Sequence, residues 1–113
     1  MSFKKKDIIK KKNEIKNVIY SGEKIKSHYF DIFYFGNKKI RIAILLNRSI
    51  KKAHERNKVK RRIREIIRKN EKIEKNDLII KIKKNVIKKR YSFLKREIKE
   101  MMEKIQRKRE ESE

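Results

Sequence analysis

One segment of this chain, KKAHERNKVKRRIREIIR at residues 51–68, combines a helical apolar stripe with a high density of basic side chains. At about 100° per residue, four apolar side chains fall within one arc of roughly 100°, namely Val59, Ile63, Ile66 and Ile67. A stripe of this width is typical of a helix that packs one face against a hydrophobic core. The segment therefore predicts a long helix, from about Ala53 to Lys69, on the surface of a folded domain.

The polar side chains of this predicted helix are sorted as well. Five of them follow the apolar stripe along one flank, in the order Lys60, Arg64, Asn57, Arg68 and Arg61. Lys58 lies on the back of the helix. A helix holds such a row in fixed geometry, and basic side chains in a row can neutralise successive phosphate groups. The flank is therefore a candidate nucleic-acid contact.

The net charge of the chain favours a polyanionic partner. The 113 residues include 38 Lys and Arg but only 15 Asp and Glu, which gives a formal net charge of +23 at pH 7. A charge this large exceeds what solubility requires and opposes compaction through self-repulsion. We therefore expect binding to nucleic acid, with an affinity that falls steeply as the salt concentration rises.

Composition and length limit the class of protein. Ile, Leu, Val and Phe make up 32 of 113 residues, more than the roughly one fifth below which a highly charged chain is expected to be disordered. We expect one domain, residues 1–113, with a frayed tail at residues 107–113. The absence of cysteine excludes a disulfide framework and a thiolate metal site. No apolar run suits a membrane span or a secretory signal, so the cytoplasm is expected.

Changes in periodicity divide the first half of the chain. Asn13 is predicted to cap a helix that ends at Ser21, before Gly22. One face of that helix is apolar and carries Ile15, Val18 and Ile19. Residues 29–35 and 40–46 are predicted to form an antiparallel hairpin around a Gly36-Asn37 turn. The irregular segment at residues 47–52 leaves room for a further short strand before the long helix.

In the second half, Asn76-Asp77 is predicted to break the pattern before a strand at residues 78–83, whose apolar start suits the interior of a sheet. A last helix follows, with Ser92 as its predicted N-cap. Its apolar face comprises Leu94, Ile98, Met101, Met102 and Ile105. The order α-β-β-(β)-α-β-α predicts an α+β single-domain sandwich in which helices cover a small mixed sheet.

The long helix also carries a resemblance to known proteins. AHERNKVKRRIRE at residues 53–65 resembles the signature of the bacterial ribonuclease P protein subunit, an Arg-Asn-Arg core followed by Ile-Lys-Arg and then Arg. Here the signature reads Arg56-Asn57-Lys58, Val59-Lys60-Arg61 and Arg64. KKNEIKNVIYSG and HYFDIFYF stand at family-like distances before it. The resemblance spans about residues 4–106.

The resemblance implies the small basic subunit of an endoribonuclease that removes the 5′ leader from precursor transfer RNA. Its partners would be a catalytic RNA and precursor transfer RNA, with no obligate protein partner. The RNA would hold the catalytic Mg²⁺ and make the cut, so no protein side chain is expected to be catalytic or to ligate a metal. The family fold also implies a left-handed βαβ crossover, an exception to the usual handedness.

Carried over residue by residue, the resemblance assigns two groups of side chains. The first faces the catalytic RNA, and with Lys58 and Arg68 from the same helix it comprises Arg56, Asn57, Lys58, Lys60, Arg61, Arg64 and Arg68. The second lines a cleft for the leader between the first helix and the sheet, and comprises Ile15, Ile19, Asp31 and Phe33. Tyr29 joins the second group because alternate strand residues share a face. Phe30, Ile32 and Tyr34, on the opposite face, are expected to be core.

Two other functions stay open. A structural RNA-binding protein of the ribosomal type would share the charge but would need no leader cleft. A DNA-binding helix-turn-helix protein is less favoured, because strands, and no short companion helix, precede the basic helix. Protein-borne catalysis is not predicted, since His28 and His54 have no partner at ligand spacing and no nucleophile motif occurs.

Overall fold

The structure is a computed structural model that describes residues 8–37, 40–47, 50–69, 76–83, 86 and 88–112. Within these residues the elements are α1 (Lys12–Ser21), β1 (Glu23–Lys26), β2 (Phe30–Gly36), β3 (Arg41–Leu45), α2 (Ala53–Lys69), β4 (Asn76–Ile82) and α3 (Tyr91–Ser112). The predicted α+β class is confirmed, and α2 has the predicted bounds. No helix in the described part of the chain is both long and apolar enough to cross a membrane.

The four strands form one mixed sheet in the order β1-β2-β4-β3. Strand β4 lies between the other two long strands, antiparallel to β2 and parallel to β3. The predicted antiparallel hairpin between residues 29–35 and 40–46 is therefore wrong. Leu78, Ile79 and Ile80 are each 0% exposed, and a strand that is apolar on both faces gains most at the centre of a sheet.

Strand β1 is the element that the sequence did not predict. It forms a hairpin with β2, and the Ser27 N–H closes the turn by donating to the Phe30 carbonyl at 2.7 Å. Only Ile25 of its four residues is apolar and buried, so the strand carries almost no periodic signal. In the segment at residues 47–52, positions 47 and 50–52 lie outside any strand, and positions 48–49 fall outside the described residues.

Strands β3 and β4 are parallel neighbours, and the chain passes from one to the other through α2. This is a βαβ unit, as the resemblance implied. Its left-handed sense stays a prediction. The arrangement matters for the site because it packs the basic helix α2, which connects β3 and β4, against the sheet.

The main core lies between one face of the sheet and the helices α2 and α3. Phe30, Ile32 and Tyr34 point into it, as predicted, and are 0%, 0% and 4% exposed. Helix α3 contributes the predicted face of Leu94, Ile98, Met101, Met102 and Ile105. Helix α1 packs on the other face of the sheet, so the domain has three layers.

Several predicted boundaries are wrong. Helix α1 begins at Lys12 after the extended residue Lys11, and no side chain caps it, so Asn13 lies inside the helix. Ser92 likewise lies inside α3, and the Arg90 carbonyl accepts the first bonds of that helix. Asn76 and Asp77 belong to β4 and do not break it. Helix α3 is continuous to Ser112, and the predicted fraying of residues 107–113 stays a prediction.

Gly22 ends α1, as predicted. Its N–H donates to the Val18 carbonyl at 2.8 Å, and the chain then turns into β1. A Cβ at this position would collide with the Val18 carbonyl oxygen and lie 2.5 Å from that of Tyr34. Only glycine allows this close approach, which fixes where α1 joins the sheet.

Candidate nucleic-acid interface

The apolar stripe of α2 fixes the rotation of the helix about its axis. Val59 and Ile63 are 0% exposed, and Ile66 and Ile67 are almost as deeply buried. These four residues pack in the main core between α2 and the sheet. Because the stripe is buried, the side chains on the adjacent flank lie at the border between the core and solvent.

The basic flank of α2 is arranged as the wheel predicted. Lys60 and Arg64 are half-buried beside the stripe, one turn apart, and the other three members, Asn57, Arg61 and Arg68, are exposed. Arg56, in the first turns of α2, is exposed as well. Lys58 is exposed on the back of the helix, with Arg62 and Glu65 nearby on the wheel. Among the described residues, none of the seven predicted RNA-binding side chains forms a hydrogen bond or an ion pair.

Arg64 has an unsatisfied donor. Its Nε is buried and has no hydrogen-bond partner among the described residues. A buried donor without a partner costs free energy, of the order of 1–3 kcal/mol.

One carboxylate of α2 is already neutralised. Glu65 pairs with Lys69, one turn further along, at 3.1 Å. The hydrogen bond from Lys69, together with the charges of Arg68 and Arg61, lowers the pKa of Glu65. This pair lies at the C-terminal end of α2 and leaves the signature residues of its first half without an acidic partner.

The predicted cleft residues lie where α1 packs on the other face of the sheet. A second hydrophobic cluster lies beneath the helix, with Ile9, Val18, Phe33, Ala43 and Ile79 buried and Ile15, Ile19 and Leu45 half-buried at its margin. Ile15 and Ile19 of α1 pack against the cluster that contains Phe33. Three of the five predicted cleft residues are thus brought together.

Arg41 attaches α1 to this face. Its Nε and Nη2 each lie 2.9 Å from an oxygen of Asp77 on β4, and its Nη1 lies 2.7 Å from Glu14 of α1. Asn37 also donates to Asp77, at 2.8 Å. Burial alone would raise the pKa of Asp77, but the bonds from Arg41 and Asn37 outweigh it and lower that pKa. The Arg41 guanidinium therefore helps to hold α1, the helix that carries Ile15 and Ile19, in place on the sheet.

Asp31 lies two residues along β2 from Phe33 and is 7% exposed. The Lys83 ammonium lies 3.2 Å from its Oδ1, and the Lys24 ammonium 3.9 Å from its Oδ2. The strand register sets Lys26 and Lys81 directly beside it on the two neighbouring strands. We call this surface, together with Ile15, Ile19 and Phe33, the cleft. Its floor carries four lysines around one carboxylate.

The lysines of the floor and the apolar cluster meet at Phe33. The Lys24 ammonium lies 5.0 Å from the centre of the Phe33 ring, which is within the range of a cation–π contact. Proteins that bind single-stranded nucleic acid combine an aromatic ring, on which a base stacks, with cations that contact the phosphates.

A family model described as Ribonuclease P matches residues 3–106, from before α1 to the later turns of α3. The chain belongs to the ribonuclease P protein family. The Ribonuclease P protein component of Mycoplasma mycoides subsp. mycoides SC is 35% identical over 108 residues, which is 90% of this chain and 98% of the relative. A second relative of the same name, from Petrotoga mobilis, is 41% identical over 71 residues, which is 61% of this chain and 60% of the relative.

Solved structures of ribonuclease P proteins share the fold. The Staphylococcus aureus RNase P protein has a TM-score of 0.76 at 22% identity, covering 88% of this chain and 94% of that one. The Thermotoga maritima RNase P protein has a TM-score of 0.75 at 20% identity, covering 85% and 94%. At such identities the likeness concerns the fold alone.

One predicted cleft residue of this ribonuclease P family member lies elsewhere. Tyr29 precedes β2, which begins at Phe30, so the alternation that placed it beside Phe33 does not apply. Its ring packs against the main core, 5.3 Å from the Phe93 ring of α3 and at right angles to it. The structure thus separates Tyr29 from the cleft and corrects that assignment.

The lysines of the cleft floor are the site residues that the sequence did not identify. Lys24 and Lys26 lie on β1, which was not predicted, and Lys81 and Lys83 lie on or just after β4. The alternation in LIIKIKK was a usable signal, because Ile79, Lys81 and Lys83 share one face. That this face lies beside Asp31 could be known only from the strand order, which makes β2 and β4 neighbours.

Two buried carboxylates of the described residues have cationic partners. The Lys83 and Lys24 ammonium groups flank Asp31, and both oxygens of Asp77 accept bonds from Arg41. That the protein itself holds no Mg²⁺ stays a prediction. No three His, Cys, Asp or Glu side chains come together in the part of the chain that the structure describes.

Proposed function

We propose that this chain is the protein subunit of a ribonuclease P holoenzyme and supports removal of the 5′ leader from precursor transfer RNA. The observation that carries the proposal is the basic flank of α2, whose side chains are presented at fixed spacing and have no acidic partners among the described residues. Such a flank can neutralise successive phosphates of a folded RNA. Family membership makes the catalytic RNA the partner that best fits it.

The members of this flank have different chemistry. Arg56, Arg61 and Arg64 offer planar forks for phosphate oxygens, whereas Lys60 is a mobile point charge. Asn57 can both donate and accept, so it can also bind a ribose hydroxyl or a base edge. A mixed set of this kind supports a defined orientation on RNA as well as affinity.

The cleft would hold the leader. The exposed part of the Phe33 ring, which is 7% exposed, would contact a base, Ile15 and Ile19 would provide apolar contact, and the lysines of the floor would neutralise the backbone. None of these groups reads a base sequence, which suits a leader that differs from one precursor to the next. Asp31 organises the lysines.

Catalysis is assigned to the RNA subunit, which would hold the Mg²⁺ that the holoenzyme needs. The protein would contribute affinity and orientation. The holoenzyme would act in the cytoplasm.

The test is cleavage of precursor transfer RNA by the cognate catalytic RNA, at near-physiological salt and low Mg²⁺, with and without this protein. A large increase in the rate at limiting Mg²⁺ is expected. The matched control is the same protein with Arg56, Lys60 and Arg64 replaced by Ala, since all three lie outside the buried stripe. A protein that binds RNA but gives no stimulation would point instead to a structural RNA-binding role of the ribosomal type.

A further inference from the structure

A second basic surface lies at the edge of the sheet, away from the flank of α2. It is a groove of about 380 Å³ between β1 and the C-terminal part of α3. Five of its six lining side chains are cationic, and the set comprises Lys24, Ile25, Lys26, Lys104, Arg107 and Lys108. We call it the edge groove.

Two elements build the edge groove by regular spacing. The three residues of α3 are related by i, i+3 and i+4, so they lie on one side of the helix. Lys24 and Lys26 alternate with the buried Ile25 on β1, the outermost strand of the sheet. The groove therefore follows the rim of the sheet from one face to the other.

Among the side chains that the structure describes, no acidic one lines the edge groove. Glu23 is the one acid of β1; it lies on the same strand face as Ile25, and its carboxylate accepts a hydrogen bond of 2.6 Å from the Tyr34 hydroxyl. Partial desolvation, followed by repulsion from Lys26, lowers the pKa of Lys24. Like charges crowded in this way gain from an anion that lies between them.

The edge groove and the cleft share two residues. Lys24 lines the groove and also lies 5.0 Å from the centre of the Phe33 ring. Lys26 lines the groove and pairs in register with Asp31 on the cleft floor. A strand of RNA that leaves the cleft past Lys24 would enter the groove without crossing an uncharged surface.

We infer that the edge groove binds the phosphate backbone of leader nucleotides that extend beyond the cleft. The inference rests on the proposed function. None of the described side chains that line the groove is aromatic, so it would hold phosphates without stacking bases and would accept any sequence. Its length from β1 to α3 suits a single strand that continues from the cleft.

The test measures the affinity of the holoenzyme for precursors whose leaders are lengthened one nucleotide at a time. The variant is Lys104→Ala/Arg107→Ala, because both side chains are exposed and lie in the groove but not in the cleft. The matched control is Lys95→Ala/Lys99→Ala, which removes the same charge from exposed positions of α3 outside the groove.

In the wild-type holoenzyme, affinity should rise once as the leader fills the cleft and again as it reaches the groove. The variant should keep the first rise and lose the second. For the longest leader, the slope of log affinity against log salt should fall by roughly 1.4, because each phosphate contact on a single strand contributes about 0.7. The control should match the wild type.

Three outcomes would overturn the inference. The variant could keep the second rise, it could lose affinity equally at every leader length, or the control could lose as much as the variant. If the wild-type holoenzyme gained no affinity from any leader, leader binding itself would be wrong and the groove would fail with it. A leader-dependent wild type with an unaffected variant would remove the groove alone.

Discussion

At the scale of single residues, burial separates side chains that a sequence pattern treats alike. Lys58 and Lys60 both belong to the basic signature, yet Lys58 is exposed on the back of α2 and Lys60 is half-buried on the flank beside the core stripe. Position relative to that stripe, rather than charge alone, decides which lysine can approach the RNA together with Arg64.

The first prediction follows from this difference. Arg56→Ala and Lys60→Ala should each weaken assembly with the catalytic RNA by about tenfold, because a charge-assisted hydrogen bond contributes roughly 1.5 kcal/mol or more. Lys58→Ala is the matched control and should have a much smaller effect. Affinities are to be compared at one fixed salt concentration. Equal and negligible effects of all three would remove α2 from the interface.

The second prediction concerns Phe33. Replacing it with Ala should weaken binding of precursor transfer RNA to the holoenzyme by roughly tenfold, given that stacking of a base on an aromatic ring contributes about 1–3 kcal/mol. Binding of mature transfer RNA, which has no leader, should hardly change. The ring is largely buried, so the fold of the variant must first be verified by its thermal unfolding. A parallel loss for both RNAs would disprove the cleft assignment.

At the scale of elements, Arg41 links three parts of the chain that are distant in sequence. It joins β3, to which it belongs, to Asp77 of β4 and to Glu14 of α1. Asp77 is 7% exposed, so its ion pair is shielded from solvent and from salt. Loss of this link would loosen α1 and open the cleft.

The third prediction is that Asp77→Asn lowers the free energy of unfolding at pH 7 by about 2 kcal/mol, since it leaves a partly buried guanidinium short of charge. The folded-state pKa of Asp77 is lowered. Its stabilising contribution is therefore complete above the unfolded-state pKa near 3.9 and is lost as the pH falls through the folded-state value. The difference between variant and wild type should shrink below about pH 4.

Urea unfolding across this pH range measures the effect. The control is Glu65→Gln, which removes an acid from the exposed Glu65–Lys69 pair of α2 and should change stability little. A difference between Asp77→Asn and wild type that stayed constant down to pH 3 would show that the carboxylate charge is not the cause.

How much of this could be predicted from the sequence also differs by element. Helix α2 was predicted to the residue, because seventeen residues with one apolar stripe define a helix and its orientation together. The partner of each strand was not predicted. Residues 29–35 and 40–46 are adjacent in sequence with a turn pair between them, but the later β4 competes for both and is more apolar.

The candidate site divides in the same way. Residues of the α2 flank follow from a helical wheel, so their positions were accessible from the sequence. The cleft depends on which strands are neighbours, so Lys24, Lys26 and Lys81 could be assigned to it only once the sheet was known. Tyr29 was misplaced because one residue of error in a strand boundary moves a side chain to another environment.

At the scale of the whole molecule, the net charge of +23 affects folding and binding in opposite ways. Repulsion among unpaired cations opposes the compact state, and salt screens that repulsion over a Debye length of about 10 Å at 0.1 M. The same salt weakens RNA binding, because it reduces the gain from counterion release.

The fourth prediction is therefore that the thermal midpoint of the free protein rises from low to moderate NaCl, while its affinity for the catalytic RNA falls. Calorimetry of the free protein and a salt titration of binding measure the two trends on one preparation. An uncharged osmolyte at matched osmolality is the control. A thermal midpoint that falls with NaCl would mean that local ion pairs, such as those of Arg41, outweigh the net repulsion.

The position of β4 in the sheet has a consequence for the way the chain is made. During synthesis β1 can pair with β2 early and Ile8 can bridge to Ile42 of β3, but the edges of β2 and β3 that face β4 have no partner until residue 82 has left the ribosome. Contacts between distant segments form late and slowly. A product terminated before residue 76 can therefore form the β1–β2 hairpin but not the complete four-stranded sheet.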